Sequence, residues 1–106
     1  MELSEFVSKA MNDRDFLLEV FKQIPDGLVN EKGAMPIAED ERGQMGKVFG
    51  RRCWPGAQAM GCTFTEDELV AECDRQFGEL RGFAKVRFGA RVFKVLGEAK
   101  PKLKRD

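Results

Sequence analysis

The sequence predicts a mostly α fold: a small domain of about four short helices, followed by a basic C-terminal segment that forms a β-hairpin or a further helix, an α+β arrangement in the first case. Three observations carry this. Apolar residues recur at three- and four-residue spacing through the first 24 positions. A complete helix-start signature lies between Gly61 and Leu69, and Gly and Pro punctuate the chain where the helical period lapses. At 106 residues the chain has the length of one domain with one modest core.

Leu3, Phe6, Val7, Ala10 and Met11 line one helix face. Asn12-Asp13 then offers a break and a new cap, and Phe16, Leu17, Val20, Phe21 and Ile24 resume the period until Pro25-Asp26-Gly27 stops it. The stretch from Leu28 to Ile37 has no period and reads as a loop. A third helix is expected from Ala38 to Phe49, weakened by Gly43 and Gly46 at about 1 kcal/mol each relative to Ala. The run Arg51-Arg52-Cys53-Trp54-Pro55 should end it, with Pro55 opening a short helix that stops at Gly61.

The segment GCTFTEDEL is the most legible of all. Thr65 caps, Glu68 reaches back to the Thr65 N–H, Glu66 and Asp67 oppose the positive end of the helix dipole, and Phe64 staples onto Leu69. The helix should run from Glu66 to about Phe77. Beyond Gly82, Ala84, Val86, Phe88, Ala90 and Val92 alternate with Lys85, Arg87, Gly89 and Arg91, while Phe83, Val86, Ala90 and Phe93 also fit a helix. The β-enriched residues tilt the choice toward a hairpin turning at Gly89-Ala90. The domain plan is an acidic helical body over 1–82 with a loop or insertion around 26–55, a basic hairpin or helix over 83–99, and a disordered tail over 100–106.

Net charge is zero, yet it divides sharply. Met1 to Leu80 carries 9 basic and 16 acidic residues, whereas Arg81 to Asp106 carries 9 basic and 2 acidic. The basic end either folds back on the acidic body or meets an anionic partner. With no His, the usual general base and imidazole metal ligands are excluded. Three cysteines, Cys53, Cys62 and Cys73, contain no C-x-x-C pair, which argues against a disulfide framework or zinc site and fits a reducing cytoplasm. No run is apolar enough for a signal peptide or a membrane span. No cofactor is expected.

Arg51, Arg52 and Trp54 are the most unusual local cluster, since Trp and Arg anchor binding hot spots. The plainer alternative places Trp54 in the core with both arginines solvated. Cys53, beside those arginines, is a candidate thiolate, although an ordinary buried thiol is the simpler reading. The acidic sets Glu39-Asp40-Glu41 and Glu66-Asp67-Glu68 are explained as first turns of helices. Lys85, Arg87, Arg91 and Lys94, interleaved with Phe83, Phe88 and Phe93, form a second candidate contact surface for an acidic protein or, with less support, nucleic acid.

The pieces LSEFVSKAMNDRDFLLEVFKQI and GAQAMGCTFTEDELVAE resemble the nitrogen-fixation-associated leader family, small helical domains related to nitrile-hydratase-type leader peptides. The resemblance covers about 40 residues. It implies a helical scaffold gripped by another protein, either as the leader of a ribosomally made peptide or as a stand-alone small protein. Here residues 26–55 separate the two pieces, and no Gly-Gly or Gly-Ala site with a Ser, Thr and Cys-rich core follows them. The sequence therefore points to a non-enzymatic protein-binding module that docks on a larger enzyme or regulatory assembly. A precursor-leader role and nucleic-acid binding through the basic segment are the alternatives.

Overall fold

In the computed structural model, which describes residues 1–25 and 43–100, the N-terminal apolar stretch divides at Asp13. Helix α1 spans Leu3–Asn12 and α2 spans Arg14–Lys22. The Asp13 carboxylate accepts hydrogen bonds from the N–H groups of Asp15 (3.0 Å) and Phe16 (3.2 Å), so the break expected there is a working cap. Phe6, Val7, Ala10 and Met11 of α1, Leu17, Val20 and Phe21 of α2, and Ile24 beyond it are all buried. Phe6 meets Phe16 edge to face at 5.3 Å.

Helix α3 runs unbroken over Met45–Ala59, with Pro55 inside it. This corrects the expectation of one helix ending before Pro55 and a second opening there. An interior Pro costs about 3 kcal/mol because one backbone donor is lost and its ring crowds the preceding turn. Here the buried stripe Gly46, Phe49, Gly50, Cys53, Gly56 and Ala57 continues at helical spacing straight through that point, and burying it offsets the cost. The glycines permit very close packing. A Cβ on Gly50 would stand 2.7 Å from Val70 Cα, and one on Gly56 2.1 Å from the Val20 carbonyl oxygen. Residues 28–37 and 38–42, where a loop and the start of the third helix were expected, lie outside the described residues.

A Schellman turn closes α3: the Gly61 N–H donates to the Gln58 carbonyl (3.1 Å) and the Cys62 N–H to that of Ala57 (3.1 Å). Gly61 takes φ +82°, which a side chain would oppose. Helix α4 follows over Glu66–Gly78 with both halves of the expected capping box formed. Phe64, the expected staple, is half-buried with its ring 5.5 Å from Phe6.

Of the hairpin and the helix, the chain adopts the helix. Helix α5 spans Phe83–Ala99 and buries Phe88, Val92, Val95 and Leu96. Phe88 sits edge to face with Phe49 at 4.9 Å and tilted against Phe77 at 5.9 Å. Strand pairing would have used the alternate residues Val86 and Ala90, which are exposed. The mostly α fold holds, and among the described residues there is no strand. α3 and α4 form the most extensive helix pair, α2 packs on α1, α3 and α5, and α1 also packs on α4. Lys100 was expected in a disordered tail. It is instead buried, with its ammonium donating to the carbonyls of Ile24 (2.5 Å) and Lys22 (3.4 Å). These are the carbonyls at the C-terminal end of α2, which a cation complements.

Candidate functional site

The first sequence candidate is largely absorbed by the fold. Arg51 pairs with Glu66 (3.3 Å) and Asp67 (3.9 Å) at the start of α4. Trp54 is half-buried against the core, and neither neighbouring guanidinium lies over its indole. Burial pulls the Arg52 guanidinium below its ordinary pKa, and its Nε is closed to solvent without an acceptor. A buried polar group left unpaired in this way costs about 1–3 kcal/mol. Burial likewise pushes the Cys53 thiol well up, the charge of Cys73 adds to this, and Arg52 opposes it only weakly. Cys73 is pushed up to about 12, mainly by burial. Cys62, half-buried, is raised for the same reason. All three are free cysteines, and the thiolate reading of Cys53 is overturned by desolvation. No group of residues suited to hold a metal ion occurs among the described residues.

The second candidate lies on α5 and is exposed. Phe83 is 82% exposed, Val86 67% and Phe93 56%. Lys85, Arg87 and Lys94 are exposed on the same helix and Arg91 is half-buried. Among the described residues none of these four cations forms an ion pair. Lys85 lies 5.3 Å from the Phe77 ring centre and Arg91 lies 6.0 Å from that of Phe88. The first turn of α5 carries no acidic residue and no side-chain cap, so its dipole adds to the positive field of Lys85 and Arg87. Phe88, grouped with Phe83 and Phe93 in the sequence, belongs to the core and is lost to any stacking role.

Beside this face, α1, α4 and α5 enclose a groove of about 680 Å³. Ser8 and Asn12 of α1, Gln76 of α4 with Glu79 just beyond it, and Arg87 and Arg91 of α5 form its polar lining, which Phe88 shares. Its acid, Glu79, is already engaged by Arg75 (3.0 Å), which also bonds Glu72 (2.5 Å) outside the groove lining, while the Gln76 amide bonds Glu72 (2.7 Å) and the Ser4 carbonyl (3.1 Å). Those bonds, first from Arg75 and then from Gln76, hold the Glu72 carboxyl below its usual value. Arg91 Nε is closed to solvent and has no acceptor. Ser8, Asn12 and Gln76 escaped sequence reasoning because they come from helices far apart in the chain and share no spacing.

The two candidates use opposite ends of α4. Arg51 contacts its first residues and the groove its last turn at Gln76, about 15 Å apart at 1.5 Å per residue. Comparison with protein-family models, with curated proteins and with solved structures returns no match. No helix among the described residues is long and apolar enough to cross a membrane.

Proposed function

We propose that the protein is a non-enzymatic binding module that docks on a larger enzyme or regulatory assembly through the outward face of α5. The observation that carries this reading is the exposure of Phe83, Val86 and Phe93 on one helix whose four cations make no ion pair among the described residues. Large apolar side chains grouped in water mark contact surfaces, and a basic border selects an acidic partner. Arg51, Arg52 and Trp54 become a secondary surface, because Arg51 is paired with Glu66 and Asp67 and the other two are half-buried. The leader-family resemblance agrees with this reading, since a leader domain is gripped by a larger enzyme. The cytoplasm is the proposed setting, on the three free cysteines.

The test is affinity capture from the host with wild-type protein and with a Phe83→Ser, Phe93→Ser double variant. A stoichiometric protein partner retained by the first and lost by the second, with both equally helical, is the expected result. Capture of nucleic acid alone, falling steeply with salt, would replace the reading by the nucleic-acid alternative.

A further inference from the structure

The groove between α1, α4 and α5 extends the exposed face of α5 inward, and its chemistry is that of a carboxylate receptor. Arg87 and Arg91 are one helical turn apart and therefore stack on the same flank of α5. Guanidinium groups match a carboxylate with paired donors, which a single ammonium does not. Glu79, the acid that shares the groove lining with them, is paired with Arg75. The Arg91 guanidinium lies 6.0 Å from the centre of the Phe88 ring, and Ser8 and Asn12 of α1 line the same groove. A ligand suited to these walls carries a carboxylate next to an apolar group.

We infer that this groove seats an aspartate or glutamate side chain from an acidic, apolar segment of the protein partner, held by Arg87 and Arg91. The inference rests on the proposed docking role of α5 and names the partner's chemistry. Charge complementarity supports a protein acid: among the described residues Arg87 and Arg91 form no ion pair, Glu79 in the same groove is paired with Arg75, and the exposed Phe83 and Val86 of α5 supply the apolar contact that a free small anion would not use. In the bound state the carboxylate lies across the two guanidinium groups, and its apolar neighbours cover the outward face of α5.

The experiment uses the full-length, 15N-labelled protein with defined probes. One is 4-phenylbutyrate, with 4-phenylbutanamide as its neutral counterpart. The other is a synthetic amphipathic helix of Leu, Phe and Glu, with a Gln-for-Glu version as control. The acids should saturably shift the Arg91 Nε–H signal and the backbone amides of Arg87, Arg91 and Gln76, and their neutral counterparts should bind about tenfold more weakly or worse. Arg87→Gln and Arg91→Gln should each weaken acid binding about tenfold, and Arg91→Lys should restore only part of it because the charge returns without the fork. Circular dichroism of each variant separates loss of binding from loss of fold.

Equal response to acid and amide, or shifts indifferent to both arginines, would overturn the groove assignment. If Phe83→Ser abolishes binding of the acidic helix while Arg91→Gln does not, the docking role of α5 stands and the groove falls. If phenylbutyrate binds but neither helix does, the groove takes a free small acid and the partner assignment fails. Binding to phosphatidylserine vesicles in preference to the acidic helix would overturn the protein partner, as would a dimer that dissolves on Arg91→Gln.

Discussion

Cys53 and Cys73 are governed by burial before any neighbour acts. Adjacency to Arg51 and Arg52 in the sequence suggested a stabilised thiolate, yet desolvation is the largest influence on Cys53 and the Cys73 charge adds to it. The linkage has a definite sign. In the unfolded chain a thiol ionises near 9.0, whereas folded Cys73 holds its proton to about 12. Below pH 9 this preference contributes its full stability, and it is lost progressively between those values as the unfolded state alone gives up protons. The unfolding free energy from urea titration should therefore fall above pH 9 by up to about 1.4 kcal/mol per pH unit for each buried thiol. A Cys53→Ala, Cys73→Ala variant should flatten that slope, and an unchanged slope would show that other groups set it. By the same logic an alkylating reagent should label half-buried Cys62 first. The simpler reading of the sequence, ordinary buried or half-buried thiols, is the one the fold adopts, because adjacency records which charges are neighbours along the chain and not which groups have lost their water.

At the level of elements, the legible ones carry their own boundaries. Asp13 and Thr65 are caps whose side chains bond the next turn, so α2 and α4 were readable from a few residues. Thr65→Ala should cost about 1 kcal/mol by chemical denaturation, the usual value for a lost cap. The unbroken α3 was not readable, because what holds it together through Pro55 is contact with α2 and α4. Its glycines looked like weak points of a helix and are instead points of closest approach. Gly50→Ala removes that approach and should destabilise the fold by about 1–3 kcal/mol despite the better helix propensity of Ala. A gain in stability would mean that α3 and α4 separate at no cost. For α5 the local β preference of Val and Phe lost to the burial of Phe88, Val92, Val95 and Leu96 on one helical stripe, a tertiary effect invisible in any short window. The groove was illegible for the same reason: Arg87, Arg91 and Phe88 of α5 had a sequence signal, but nothing in it joined them to Ser8, Asn12 and Gln76.

Across the whole molecule the charge division is only partly healed by folding. Met1 to Leu80 has a net charge of −7 and Arg81 to Asp106 one of +7. Arg14 pairs with Glu98, and Lys100 closes α2, so the end of α5 is tied to the N-terminal helices. The middle of α5 is not: Arg87, Arg91 and Lys94 crowd like charges within two turns, and among the described residues none of them has an ion-pair partner. Like charges four residues apart repel, so this arrangement costs stability and is retained for contact with something outside the fold. That argument makes a divided prediction. Arg87→Glu replaces an i,i+4 repulsion with an attraction to Arg91, in the orientation that also suits the helix dipole. Its thermal midpoint should equal or exceed that of the wild type, with a gain of about 0.5 kcal/mol, while its affinity for an acidic partner collapses. Parallel melting and binding curves on this one variant decide the matter. Loss of stability would make the basic stripe part of the scaffold, whereas a more stable protein that no longer binds would identify α5 as the surface the fold exists to present.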